Sequence, residues 1–365
     1  MADQISFARG APSIDIVAVD DLKAAAQRAF ENDPGGSFSY GTSIGYPPLR
    51  AWIADKHELP PEQVIVTNGS MQADAFLFEL LVEDGDLVVV EAPTYDRTLL
   101  SLRKRGADIL AIPLEEDGID VAALASALDA GARPKLAHII PTFQNPAGYT
   151  LSLDKRRRLL QLAEQYDFVI FEDDPYVELR FAGERLPTML SMDRADKVVY
   201  ASSFSKTVCP GIRVGYLVGP EPVIAAIVKL GTETYISPSM VSQAIVNEFC
   251  RSGAIEESIE TVKAALRERR DALCEALERE LPEARFVPPD GGYFLWVELP
   301  EGSDVDMLFE NARDRGVVFV KGTDFLKEGG QNTLRLAFSG VQPAEIDEGV
   351  SRLAEAYKSL AGAVA

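Results

Sequence analysis

Short apolar runs recur along the N-terminal part of the chain, at 64–67, 87–91, 108–112, 136–140, 168–171 and 198–201, with a further run at 214–218 after a turn. Each is continuous rather than alternating, which suits a strand buried on both faces. Helical spacing fills most of the gaps, for instance Val121–Leu128 and Leu153–Tyr166. Strand and helix in alternation predict a mostly parallel α/β sheet. Ligands in such sheets sit beyond the carboxyl ends of the strands, so the chemistry is expected there.

Ahead of this pattern lie a loop and a short helix at about 20–31. The stretch from Gly35 to Arg50 follows, and its Gly and Pro density predicts irregular backbone before a helix beginning near Pro48. After about residue 220 the pattern changes. Pro220–Cys250 and Gly253–Leu281 read as long helices, and Ala284–Pro288 and Tyr293–Leu299 as strands. A helix at 305–315, strands at 317–320 and 333–338, and a helix at 343–360 complete the chain. The expected division is an N-terminal segment over 1–33 belonging to a small domain, a large domain over 34–250, and a smaller α+β domain over 251–365.

The 365 residues give room for these domains, and their net charge is −21. That charge argues against nucleic acid and anionic membranes as partners, because both need clustered Lys and Arg. No apolar run reaches the roughly 18 residues of a membrane span, and the N-terminus has neither the basic nor the apolar region of a secretory signal. Cys209, Cys250 and Cys274 are too widely spaced for a metal-ligand set, and an odd count suits a reducing cytoplasm. With only His57 and His138, a histidine metal site or a Ser-His-Asp triad is poorly supplied. His138, inside the run Leu136–Ile140, reads as a satisfied core histidine.

The richest strand end is Val198-Val-Tyr-Ala-Ser-Ser-Phe-Ser-Lys206-Thr-Val-Cys-Pro-Gly-Ile-Arg213-Val-Gly-Tyr216. Two strands meet at a turn, and a lysine there is expected to be partly desolvated. Desolvation lowers its pKa and makes its amine nucleophilic. The hydroxyls and Arg213 beside it suit a phosphate. A solvated surface charge is the ordinary alternative.

Other strand ends carry weaker signals. Asn68-Gly69-Ser70-Met71-Gln72 opens a helix, where glycine lets backbone amides approach an anion, though Ser70 is also an ordinary N-cap. Tyr95 could stack on a planar ring or simply be a half-buried aromatic. Asn145 precedes Pro146 and so lies in extended or turn backbone; its amide suits a ring oxygen or a carboxylate, and Asn-Pro is also a common turn. Glu172-Asp173-Asp174-Pro175-Tyr176 places three acids at the end of a buried strand. That is costly unless a cation meets one of them, and a protonated pyridine nitrogen is a fitting one. Acids at a helix N-terminus are the alternative. Arg335 stands alone in the apolar stretch Thr333–Phe338 and needs a carboxylate, from the protein or from a substrate. The set as a whole describes a pocket for pyridoxal 5′-phosphate and an amino acid.

Asn145-Pro146, Asp173-x-x-Tyr176 and Ser203-x-x-Lys206 followed by Arg213 resemble the fold-type I aminotransferases of class I/II. Within them the chain is most similar to the group that holds 2-aminoadipate aminotransferases and the catalytic domain of MocR-type regulators. The likeness runs from Ile5 to the last helix. It implies an α/β fold with a mostly parallel central sheet flanked by helices and a smaller α+β C-terminal domain. It implies transfer of an amino group from an L-amino acid to a 2-oxo acid, through a Schiff base on Lys206 and a pyridoxamine form. The catalytic residues implied are Lys206, Asp173 and Tyr176. Asp173 would pair with the pyridinium nitrogen, Asn145 and Tyr176 would bond the phenolic oxygen, and Tyr95 would stack on the ring. Gly69, Ser70, Met71, Ser203, Ser205 and Arg213 would hold the phosphate. Tyr40 would reach the phosphate of a partner subunit, which implies a homodimer. Arg335, with Asn145 and the Gly10 amide, would bind the substrate α-carboxylate. Elimination, replacement or oxidation on the same scaffold is the alternative reaction. Arg9 stands where relatives often have glycine and Lys321 replaces a common proline, and both bear on substrate choice. No helix-turn-helix region precedes the catalytic segment, so an enzyme rather than a regulator is expected.

Overall fold

The computed structural model describes residues 4–364. In chain order its strands are β1 (Ile5–Ser6), β2 (Val64–Thr67), β3 (Leu87–Ala92), β4 (Asp108–Glu115), β5 (Gly118–Ile119), β6 (Leu136–Ile139), β7 (Val169–Asp173), β8 (Val198–Ser203), β9 (Gly215–Val218), β10 (Phe294–Glu298), β11 (Val317–Val318), β12 (Val320–Lys321) and β13 (Thr333–Ala337). Each of the seven apolar runs became a strand.

An eight-stranded sheet has the order β2-β9-β8-β7-β6-β3-β4-β5. Its central strands β8, β7, β6, β3 and β4 are parallel. Only β9 and the short β5 run against their neighbours. The continuous runs are buried on both sides. Val88 and Val90 enter one core with Phe76 and Leu77, whereas Val89 enters the opposite core with Leu124 and Leu159. Each such side chain contributes about 1.5–3 kcal/mol relative to exposure. Successive crossovers step outward from β3 to β4 and, the other way, from β6 to β7 to β8. The order therefore reverses between β3 and β6, and a crevice opens beyond their carboxyl ends.

A three-stranded antiparallel sheet, β10-β13-β12, lies in the C-terminal part, while β1 pairs with β11. The helices Ala254–Glu280 and Pro343–Val364 pack beside these strands, and Ile5, Phe7 and Ile16 share their apolar core. The helix Val19–Asn32 instead buries Ala25 and Ala29 in the core that holds Tyr46, Val64 and Phe249. Among the described residues no helix is long and apolar enough to cross a membrane.

Several local expectations changed. The expected helix Pro220–Cys250 is two helices, Glu221–Tyr235 and Met240–Arg251. Ile236 has a left-handed φ of 68° and Pro238 follows it, which breaks the first; the Ser239 side chain then accepts from the Ser242 amide to cap the second. The irregular stretch after Gly35 contains a short helix, Pro34–Phe38, capped by Asp33 accepting from the Gly36 amide. The expected strand Ala284–Pro288 is reduced to a single bridge between Arg285 and Glu298. Residues 317–320 split between two sheets, as β11 and β12.

Candidate active site

β8 and β9 are antiparallel, and the chain between them turns through Lys206 to Arg213. This turn closes one side of a cavity of about 200 Å³ beyond the ends of β3, β6, β7 and β8. Its lining includes Ser70, Met71, Tyr95, Asn145, Asp173, Tyr176, Ser203, Ser205, Lys206 and Arg213, with Gly10 at the rim. These positions lie far apart in sequence, and the sheet brings them together. Tyr40 does not join them: it is 89 % exposed on the surface of the chain.

One end of the cavity suits a phosphate. The helix Ser70–Leu81 points its N-terminus there, with Gly69 as the residue before it at φ 86°. Ser70 is the first helical residue, so it does not serve as the N-cap. A Cβ on Gly69 would lie 2.1 Å from Arg213 Nη2, so only glycine leaves room for the guanidinium. Arg213 Nη1 donates to Ser205 Oγ at 3.2 Å, and Ser203 Oγ donates to Ser205 Oγ at 2.9 Å. Arg213 itself has a left-handed φ of 52°, a conformation that the close approach to Gly69 and Asn68 must hold in place. Helix N–H groups, hydroxyls and a guanidinium converge here without an acid among them, as an anion requires.

The middle holds the lysine. Lys206 is half-buried, and its Nζ donates to the Gly10 carbonyl at 2.8 Å. It stands over the rings of Tyr293 and Tyr176, at 5.1 and 5.5 Å from their centroids. Burial, then the charges of Arg335 and Arg213, lower its pKa to about 8, and Asp173 opposes the shift. Its neutral fraction at neutral pH is therefore larger than that of an ordinary lysine, though the charged form still dominates.

The other end is acidic. The three acids after Phe171 separate into different roles. Glu172 accepts from the amides of Met189 and Leu190, both at 2.8 Å, and faces Arg156 at 3.8 Å, so it is structural. Asp174 is fully buried, and desolvation pushes its carboxyl up to about 8. Asp173 alone lines the cavity, and its buried Oδ1 has no hydrogen-bond partner among the described residues. A buried carboxylate oxygen without a donor is costly, and a ring N–H would satisfy it.

Two neighbours of Asp173 were not anticipated. His138 is not a satisfied core histidine. Neither ring nitrogen has a hydrogen-bond partner among the described residues, and Nε2 lies 3.4 Å from Asp173 Oδ2. Asp74 lines the same cavity with an unpartnered Oδ1, its pKa raised by burial and then by Asp173. Asp74 follows Ser70 by one helical turn, a spacing legible in the sequence. His138 meets Asp173 only across the β6–β7 pairing, and no local motif marks that.

Arg335 opens a second, adjoining cavity of about 460 Å³. On β13 it donates to Asn145 Oδ1 at 2.8 Å and to the Ala8 carbonyl at 2.6 Å. Its guanidinium lies between Phe294 and Phe325, at 4.3 and 4.9 Å from their centroids. Its buried Nε is unpartnered among the described residues. Burial lowers its pKa to about 10, so it stays cationic at neutral pH. Among the described residues no carboxylate pairs with it, which leaves that place open to a ligand. Lys321 points elsewhere, to an ion pair with Asp306.

The model of the family described as aminotransferase class I and II matches residues 2–353. The chain belongs to that family. It is 36 % identical to the 2-aminoadipate transaminase of Thermus thermophilus, with 98 % of this chain and 90 % of that one covered. It is 34 % identical to aromatic-amino-acid aminotransferase 1 of Thermococcus litoralis, covering 98 % and 88 %. Among solved structures, the α-aminoadipate aminotransferase of Thermus thermophilus, complexed with N-(5′-phosphopyridoxyl)-L-leucine, superposes with a TM-score of 0.94 at 35 % identity, covering 98 % of this chain and 93 % of that one. The Rhizobium meliloti regulatory protein MocR is also a relative, at 28 % identity over 98 % of this chain and 73 % of that protein. This aminotransferase is an enzyme that uses pyridoxal phosphate, an amino acid and a 2-oxo acid. The geometry of its cavity fits that cofactor: an anion cradle, a half-buried amine and an unsatisfied carboxylate line one space.

Proposed function

We propose that Lys206 is the residue that carries the cofactor and moves the substrate proton. The supporting observation is its half-buried amine, held by one carbonyl between a cluster of anion-binding donors and an unpartnered carboxylate. When bound, pyridoxal phosphate supplies a ring that accepts the electron pair left as the substrate α-proton departs. In this reading the neutral Lys206 amine would hold the cofactor by its aldehyde with loss of water, and the amine, once freed, would carry the substrate's α-proton. Asp173, with His138 Nε2 at 3.4 Å from its Oδ2, would keep the ring nitrogen protonated. Asn145 and Tyr176 would serve the phenolic oxygen, and Tyr95 would stack on the ring. Gly69, Ser70, Met71, Ser203, Ser205 and Arg213 hold the phosphate. Arg335, with Asn145 and the Gly10 amide, binds the substrate α-carboxylate.

The same reading makes the protein a cytoplasmic homodimer. Tyr40 is exposed beside Phe38, itself 62 % exposed, and Tyr40 would complete the partner's phosphate site. A monomer by sedimentation with full activity would remove that part. The domain reading is a large body over 34–250 and a small one over 251–365. The segment 1–33 divides between them: Ile5 and Phe7 pack with the small body, Ala25 and Ala29 with the large one.

The test is spectral. The reconstituted protein is mixed with single L-amino acids, and cofactor absorbance and 2-oxo acid are followed together. Conversion to the pyridoxamine form with matching 2-oxo acid is expected. Lys206→Ala should slow it by at least about ten-thousandfold. If no amino acid changes the spectrum of the unaltered protein, transamination is not its reaction.

A further inference from the structure

The cavity around Arg335 inverts the charge of the rest of the protein. The whole chain carries −21. Yet four cationic side chains, Arg9, Arg97, Lys206 and Arg335, line this space against two carboxylates, Asp96 and Asp324. Three of the four cations are already engaged. Arg335 is held by Asn145 and Ala8, Lys206 by the Gly10 carbonyl, and Arg97 Nε lies 3.5 Å from Asp96 Oδ2. Arg9 is exposed, and its side chain has no hydrogen bond or ion pair among the described residues.

The backbone that carries Arg9 is fixed on both sides. The Ala8 carbonyl accepts from Arg335 and the Gly10 carbonyl accepts from Lys206. Gly10 is pressed against Phe294, where a Cβ would lie 2.4 Å from the ring. Two short hydrogen bonds to the site's own cations thus set the root of Arg9 at the mouth, and Arg9 lines both the inner and the outer cavity. A guanidinium held there, without a protein partner, is poised to take a planar anion through two N–H groups. Partial exclusion of water strengthens such a pair.

We propose that Arg9 binds a second carboxylate, on the substrate side chain, so that this enzyme prefers dicarboxylic amino acids and dicarboxylic 2-oxo acids. This rests on the reading that Arg335 takes the α-carboxylate. The two guanidinium groups then hold the two ends of one substrate. The role assigned to Arg9 is choice of substrate, with no part in the proton transfer.

The test compares kcat/KM for glutamate and for leucine, as donors, in the unaltered enzyme, Arg9→Gln and Arg9→Lys, together with the dissociation constant of pyridoxal phosphate. The unaltered enzyme should favour glutamate. In Arg9→Gln the glutamate-to-leucine ratio should fall about ten- to hundredfold, the scale of one charged hydrogen-bonded contact, chiefly through KM. Arg9→Lys should recover part of the ratio. Preference for leucine in the unaltered enzyme, inactivity with glutamate while other amino acids react, or an unchanged ratio in Arg9→Gln overturns the proposal. A loss shared equally by both donors, with weaker cofactor binding, also overturns it by assigning Arg9 to the cofactor. Inactivity with every amino acid instead removes the aminotransferase reading beneath it.

Discussion

The two ends of the inner cavity are built by opposite means. At the phosphate end, Ser203, Ser205 and Arg213 come from one turn between β8 and β9, and Gly69 and Ser70 from one helix start. The groups there are donors that satisfy one another, as Arg213 and Ser203 do through Ser205. At the acid end, Asp173, His138 and Asp74 come from two strands and a helix. There, Asp173 Oδ1, Asp74 Oδ1 and both His138 nitrogens are buried without hydrogen-bond partners among the described residues. A donor cradle can rest on itself while the anion is away. A cluster of buried acids cannot, because each desolvated carboxyl is costly until something meets it. The first end is therefore suited to holding a ligand and the second to setting a ligand's electronic state.

Breaking the acid end should have the larger effect on chemistry. Asp173→Ala should lower the single-turnover rate of amino transfer about hundred- to thousandfold, as loss of one preorganised charge does. Cofactor affinity should change far less, since the phosphate end is intact. Fluorescence titration and rapid-mixing absorbance separate the two, and a variant that fails to bind the cofactor yet reacts normally once saturated would reverse the assignment.

Breaking the phosphate end should do the converse. Arg213→Ala should weaken cofactor binding about ten- to hundredfold through loss of a charged contact. The rate at saturating cofactor should stay within about tenfold. If both variants lose rate and affinity in the same proportion, the two ends do not have separate tasks.

The smallest effect concerns stability around the acid end. Desolvation pushes Glu91 up to about 8, against hydrogen bonds from Gln144 and Ile140, and pushes Asp174 up to about 8 as well. At both, the folded chain holds a proton more tightly than the unfolded chain. The stability they contribute is fully present below the ordinary carboxylate range and is lost as pH rises towards about 8. Glu91→Gln and Asp174→Asn in the cofactor-free protein should each flatten the fall of Tm between pH 5 and 8 by about 2–4 °C. Unchanged slopes would mean that these carboxyls are not buried as neutral acids.

The α/β fold and the cofactor were legible because they rest on local pattern. Short continuous runs rich in Val and Ile suit strands buried on both faces, and their order with helices allows few topologies. Gly69-Ser70 and Ser203 to Arg213 are likewise short contiguous stretches, so the donors that gather at one end of the cavity could be read directly. Tertiary structure decided the rest, because the pairings that matter there have no fixed sequence spacing. Only the β6–β7 register sets His138 against Asp173. Only the fold distributes the three acids, giving Glu172 to a distant helix start, Asp174 to the core and Asp173 to the cavity. And only the contacts of Ala8 with Arg335 and of Gly10 with Lys206 bring Arg9 to the cavity mouth, since a charged residue's meaning depends on which other charges the fold leaves unpaired beside it.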